Sequence, residues 1–193
     1  METRTQRHFK DGIRVVLYGP ESTGKTTLAK ALAAHYATRW VPEFAREYLQ
    51  DKWEKQRTVC TLDDLIPIAY GQLEAENKAL DNTHRLLFCD TNILVTKVWS
   101  ETHFNGYCPP EIQTLFKTLH YDLYLLTNID VPWEKDDLRD RPNQRQPMLE
   151  YFQQQLLDFK LPYLMVSGSP EERCQQAIAK IDALLAGTTT LPQ

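Results

Sequence analysis

The sequence predicts an α/β fold built on a parallel sheet, and two observations carry that prediction. Five short apolar runs, Ile13–Tyr18, Arg39–Val41, Leu86–Cys89, Leu123–Leu126 and Tyr163–Val166, are separated by stretches with helical periodicity. Strands that alternate with helices are joined by right-handed crossovers into a parallel sheet. The runs also lack the polar–apolar alternation of a half-exposed strand. IRVVLY, LLFC and YLMV are apolar nearly throughout, as strands covered on both faces must be. Such crossovers put the strand C-termini along one edge, where ligands bind.

The first strand stops at Gly19. A helix over Lys25–Tyr36 follows, with Leu28, Ala31 and Leu32 on one side. Pro42 halts the second strand, and a short helix is expected over Glu43–Leu49. A longer helix spans Leu62–Leu80, opened by Thr61 as N-cap with Asp63 and Asp64 where carboxylates complement the positive helix end. The third strand runs into Asp90. Helices over Ile93–Trp99 and Pro110–Leu119 precede the fourth strand. The last helix, Pro170–Leu185, has Ser169 as N-cap, Pro170 in first position and Glu171 and Glu172 in its first turn. Residues 1–12 and 187–193 read as flexible ends, leaving one domain over 13–186.

Composition narrows the function. A chain of 193 residues suits a single domain. Its net charge of −4 argues against a nucleic-acid partner held by charge. No apolar run approaches the roughly 18 residues that span a bilayer, and the polar N-terminus lacks the apolar region of a signal peptide. Cys60, Cys89, Cys108 and Cys174 form no C-x-x-C pair, which suits reduced thiols in a cytoplasmic protein.

The chemistry is announced by Gly19-Pro20-Glu21-Ser22-Thr23-Gly24-Lys25-Thr26, which matches G-x-x-x-x-G-K-[ST] in full. It stands directly after a strand and opens a helix, the context the motif requires. The two glycines let the backbone curl so that successive N–H groups, from Glu21 through Thr27, face phosphate oxygens. The helix adds its positive end. Lys25 is expected to reach the β- and γ-phosphates of ATP, and the Thr26 hydroxyl to ligate Mg²⁺.

Two carboxylates stand where a second group should. Asp90, at the end of the third strand, can hold the metal or orient an acceptor hydroxyl; it could also cap the following helix, as could Thr91 and Asn92. Glu43, in VPEFAREYL, follows the second strand and can accept a hydroxyl's hydrogen bond or act as base, with Arg46 one turn further on. After the fourth strand comes WEKDDLRDRPNQR, residues 133–145, polar and bearing three arginines. An arginine-bearing lid suits phosphoryl transfer because it stabilises charge on the migrating group and excludes water; Arg139 and Arg141 are the candidates.

Together, GPESTGKTTL, VPEFAREYL, FCDTN and the W-x-x-D-x-L-R stretch at Trp133–Arg139 resemble the ribosylnicotinamide kinase domain of NadR-type proteins, over roughly Ile13 to Ala186. The resemblance implies a P-loop NTPase three-layer sandwich with sheet order 2-3-1-4-5. It implies transfer of the ATP γ-phosphate to the 5′-hydroxyl of nicotinamide riboside. By that likeness Glu43 and Arg46 help form the riboside pocket, Asp90 sits by the 5′-hydroxyl and Mg²⁺, and Arg139 serves the lid. Tyr70 and Asn92 join the substrate-binding set. A pyridinium ring would be held by aromatic faces and carboxylates, with Tyr36, Trp40, Phe44, Tyr48, Tyr70 and Trp99 as candidates. Adenine is expected near Ser167–Pro170. The sequence has no H-x-G-H motif and no helix-turn-helix segment, so adenylyl transfer and DNA binding are not expected. Two other readings share the phosphate loop: a P-loop kinase for another nucleoside or nucleotide, and an AAA-like ATPase or nucleotide-dependent switch.

Overall fold

The computed structural model describes residues 5–188 apart from Asp137 and Asp140. Five strands, β1 (Ile13–Tyr18), β2 (Arg39–Val41), β3 (Leu86–Asp90), β4 (Leu123–Thr127) and β5 (Tyr163–Val166), form one sheet. Every pairing is parallel and the order is β2-β3-β1-β4-β5. The helices between them are α1 (Lys25–His35), α2 (Phe44–Gln56), α3 (Leu62–Ala79), α4 (Ile93–His103), α5 (Pro110–Lys117), α6 (Arg145–Asp158) and α7 (Pro170–Thr188).

The period-two geometry of the strands builds two cores, one on each face. Val16 and Tyr18 of β1, Leu87 and Cys89 of β3, and Tyr124 and Leu126 of β4 face the layer of α3 to α6. Val15, Leu17, Phe88, Leu123 and Leu125 face α1 and α7. All residues of β1, β3 and β4 are buried, which accounts for the unbroken apolar runs. Arg14 is the polar member of β1; its main-chain N–H donates to Asp122 Oδ2 at 2.8 Å.

Some elements depart from expectation. α2 runs on to Gln56, seven residues past Leu49, and buries no side chain. The stretch from Arg145 to Asp158 carries no predicted element, yet forms α6. Pro147 lies in its first turn, where a missing N–H costs no helical bond, and Leu149, Phe152 and Leu156 supply the buried stripe among the glutamines. Residues 5–12 are tethered rather than loose. Arg7 N–H donates to Asn77 Oδ1 at 2.8 Å, Asn77 Nδ2 donates to Thr5 O at 2.9 Å, and Gln6 exchanges two bonds with the backbone of His120. α7 continues through Gly187 and Thr188; residues 1–4 and 189–193 of the expected flexible ends lie outside the described residues. No helix among the described residues is long and apolar enough to cross a membrane.

One buried carboxyl ties α3 to the segment just before β4. Glu76 is 1% exposed; Gln72 Nε2 donates to its Oε1 at 3.2 Å and Tyr121 Oη to its Oε2 at 2.9 Å. Burial raises its pKa from 4.5 to about 7, against the pull of those two donors and of Arg14. The folded protein therefore keeps a proton that the unfolded chain releases above pH 4.5. Stability from this group is full below pH 4.5, falls as pH rises, and is lost above about 7. Urea unfolding between pH 4.5 and 7 should show stability falling by up to about 1.4 kcal/mol per pH unit from this group, and Glu76→Gln should flatten that slope. An unchanged slope in the variant would contradict the assignment.

Candidate functional site

β1 delivers the chain to a turn that L-residues rarely make. Gly19 has φ 137°, Ser22 φ 54° and Gly24, the N-cap of α1, φ 81°. Gly19 is required twice over: its φ disfavours any side chain, and a Cβ there would meet Thr127 Oγ1 at 2.8 Å. Thr127 closes β4 and backs the loop, its hydroxyl 2.6 Å from Thr23 Oγ1, which in turn donates to Pro20 O at 2.8 Å. Two arginines grip the outside. Arg173, 3% exposed, donates to Thr23 O at 2.6 Å and Asn128 O at 3.0 Å and pairs with Asp130. Arg145 donates to Ser22 O at 3.1 Å and Val131 O at 2.8 Å.

Lys25 Nζ lies over the loop, donating to Gly19 O at 3.0 Å and Pro20 O at 2.7 Å. Beside it, Thr26 Oγ1 donates to Asp90 Oδ2 at 2.5 Å. Asp90 is 1% exposed, and its Oδ1 has no hydrogen-bond partner. Burial raises its pKa, with Thr26, Lys25 and Lys30 opposing. A buried carboxylate oxygen left over beside a phosphate-loop hydroxyl is the donor set a hard divalent cation takes, with phosphate and water completing its shell. The residues present thus fit Mg²⁺. Thr91, β-branched yet at φ 72°, follows at once, a strain of about 1–3 kcal/mol of the kind that clusters at working sites.

Glu43 occupies the N-cap of α2 with extended backbone, and its side chain makes no capping bond. Its carboxyl lines the same cavity as Lys25. Burial raises its pKa; Lys25 opposes, Asp90 adds to the rise, and Arg46 and Arg139 oppose. The segment after β4 closes over it. Glu134 N–H donates to Ser22 Oγ at 2.8 Å, and Asp136 receives Arg46 at 2.7 Å and Arg139 at 3.0 Å. The cavity measures about 700 Å³. It runs from Gly19–Thr27 past Glu43 and Arg46 to an apolar end formed by Leu65, Ile68, Val95, Trp99, Phe104 and Phe152.

The structure brings Glu21, Ser22, Thr23, Lys25, Thr26, Thr27, Glu43, Arg46, Arg139 and Arg141 to this cavity. It corrects three expectations. Tyr70 lies outside, its hydroxyl donating to Glu111 Oε1 at 2.8 Å, because its side of α3 faces α5. Asn92 is the N-cap of α4: Oδ1 accepts from Leu94 N–H at 3.1 Å and Nδ2 donates to Tyr124 Oη at 3.1 Å, which commits the amide to the core. That also removes the capping role considered for Asp90. Arg141 points away from the phosphate loop, donating to Thr102 O at 2.7 Å at the end of α4. Of the six aromatic candidates, Trp99 lines the cavity, stacked on His103 at 3.9 Å. The loop-gripping roles of Arg145 and Arg173 do not show in the motif pattern of the sequence. For Arg173 there was a signal: a cation in the first turn of α7 opposes the helix dipole and needs another reason to be there.

A parallel sheet of this order with a nucleotide-triphosphate loop after β1 defines a P-loop nucleotide-binding protein. The sequence pattern of the AAA domain matches residues 14–173, and the chain belongs to that family. It is 26% identical over 151 residues to the trifunctional NAD biosynthesis/regulator protein NadR of Escherichia coli strain K12, an alignment covering 75% of this chain. The chain spans about a third of the length of the curated relatives it matches, 37% and 30%. Among solved structures, a NadR protein in complex with NR superposes with a TM-score of 0.75 at 24% identity, covering 95% of this chain and 53% of that one. Thymidylate kinase from Candida albicans superposes at 0.66 and 16% identity, covering 90% and 92%. At these identities the superpositions establish the shared fold.

Gly19→Ala should lower stability by about 1–3 kcal/mol, read by urea unfolding, and should raise the Kd for Mg·ATP at least about tenfold. Wild-type affinity in a folded variant would show that the left-handed turn is not needed.

Proposed function

We propose that this chain transfers the γ-phosphate of ATP to the 5′-hydroxyl of nicotinamide riboside, giving nicotinamide mononucleotide. The observation that carries this reading is the placement of a half-buried carboxyl, Glu43, in the same cavity as Lys25 and near the Thr26–Asp90 pair, a cavity that extends beyond the phosphate loop. A hydrolytic switch needs no such acceptor chamber. The relatives named as NadR proteins, one of them in complex with NR, point to the same substrate.

The residues divide the work. Amides of Gly19–Thr27 hold the phosphates of ATP, and Lys25 exchanges its two carbonyl acceptors for phosphate oxygens, which bind an ammonium more strongly. Thr26 and Asp90 would hold Mg²⁺, which when bound offsets charge on the phosphates. Glu43 accepts the hydrogen bond of the acceptor hydroxyl; burial raises its pKa, which suits a group that takes up a proton. Arg139, held over the cleft by Asp136, disperses charge on the group in transit. Glu134 and Trp133 shut water out above Ser22. The adenine is assigned to the Ser167–Pro170 turn, where Pro170 and Arg173 line the cavity. Beyond Glu43 and Arg46 the cavity ends in apolar side chains, which suits the ring of a nucleoside. Four free cysteines agree with a cytoplasmic setting.

A coupled assay of ATP turnover against a nucleoside panel tests the reading. Nicotinamide riboside should be phosphorylated, with Lys25→Ala and Asp90→Asn each slower by at least about 100-fold while melting temperatures hold. Turnover of thymidine or thymidine monophosphate without nicotinamide riboside would replace the acceptor. Steady ATP hydrolysis with no acceptor would favour a mechanical or regulatory ATPase.

A further inference from the structure

Glu43 sits at a helix N-cap without its side chain doing the capping, and another group satisfies the first N–H of α2, that of Phe44. That group is Gln72 of α3, 28 residues further along the chain and 2% exposed. Its Oε1 accepts from Phe44 N–H at 3.0 Å, and its Nε2 donates to Glu76 Oε1 at 3.2 Å. The amide orientation is fixed from both ends, since an N–H can only donate and Glu76 presents oxygen. Glu76 is itself set by Tyr121.

A second feature of α3 points to the same residue. Gly71 stands mid-helix, where glycine is disfavoured. A Cβ there would run into the Phe44 ring. Phe44 is thus seated by its ring on Gly71 and by its N–H on Gln72, and the residue before it is Glu43.

We infer that the dipeptide Gly71-Gln72 positions the acceptor carboxyl, with Gln72 capping α2 from another helix so that Glu43 keeps its carboxyl for the cavity. This deepens the proposed phosphotransfer and rests on it for its kinetic readout. An ordinary capping residue at position 43, such as Asp or Ser, would turn its oxygen back to the helix N–H groups. Supplying the cap from Gln72 separates the two duties. Gln72 also lines the cavity, so loss of its amide would reach Glu43 without passing through the phosphate loop.

The test uses the full chain. Gln72→Leu keeps the size and removes both hydrogen bonds, leaving Phe44 N–H and Glu76 without their partner. Its kcat/KM for nicotinamide riboside should fall at least about tenfold, with KM for ATP within about twofold. In a Glu43→Gln background the same change should cost little more, because one group acts through the other. The exchange Gln72→Glu with Glu76→Gln restores an acceptor for Phe44 and a donor between the two positions, and should recover most of the loss. Gly71→Ala, whose Cβ would displace the Phe44 ring, should reproduce the acceptor defect. Losses that multiply with Glu43→Gln, or that fall equally on ATP, would overturn the inference. If the wild type phosphorylates no nucleoside, the function fails but the positioning is still decided by NMR. Gln72→Leu should then speed hydrogen exchange at Phe44 N–H and lower the titration midpoint of Glu43 as its carboxyl moves toward solvent. Unchanged exchange and midpoint would refute it.

Discussion

The hydrogen bond from Thr26 to Asp90 is the contact on which the site depends. It joins the first turn of α1 to the end of β3, and so fixes the phosphate loop to the sheet rather than to its own helix alone. The register makes it possible. Asp90 pairs with Leu17, two residues before Gly19, and Thr91 N–H donates to Leu17 O at 3.1 Å. A shift of one residue would turn Asp90 to the other face of the sheet. With β3 between β1 and β2, the residues that follow each of the three strands converge on one point.

The site also shows how a mildly acidic chain can hold a polyanion. The loop relies on amides and a helix end, whose partial charges need no counterion. The formal cations are mostly spoken for: Arg173 with Asp130, Arg46 and Arg139 with Asp136, and Lys25 with two carbonyls. These pairings hold long side chains in place over the cavity and limit the ordering still to be done when phosphate enters. The acidic residues that remain, Glu43 and Asp90, have raised pKa values because burial outweighs the neighbouring cations. In that environment a carboxyl can take a proton that a surface carboxylate would decline.

Support for the loop comes from parts of the chain far away in sequence. Thr127 stands 104 residues from Thr23, and Arg173 stands 150 from it. Both sit on the α1–β4–α7 side of the molecule, while Glu43 and Gln72 sit on the β2–α3 side. The loop lies between a rigid back wall and a wall that shapes the acceptor.

By itself the amino-acid order determined the strands, because runs covered on both faces must be apolar along their whole length, and the phosphate loop, because its glycines, lysine and threonine must be consecutive. It also pointed to Asp90, at the end of β3, to Glu43 and Arg46, soon after β2, and to Arg139, in the polar segment after β4. The strand order was legible through likeness to a family, not through periodicity, which is blind to which strands are neighbours. Tertiary structure alone decided the fate of Tyr70 and Asn92. Both carry suitable groups at suitable distances along the chain, but a helix turn of 100° per residue and a capping bond send them elsewhere. It also decided the roles of Arg145, Arg173 and Gln72, whose partners lie 123, 150 and 28 residues away. Local pattern cannot report a hydrogen bond closed by the packing of distant segments, and that is where the sequence stops speaking.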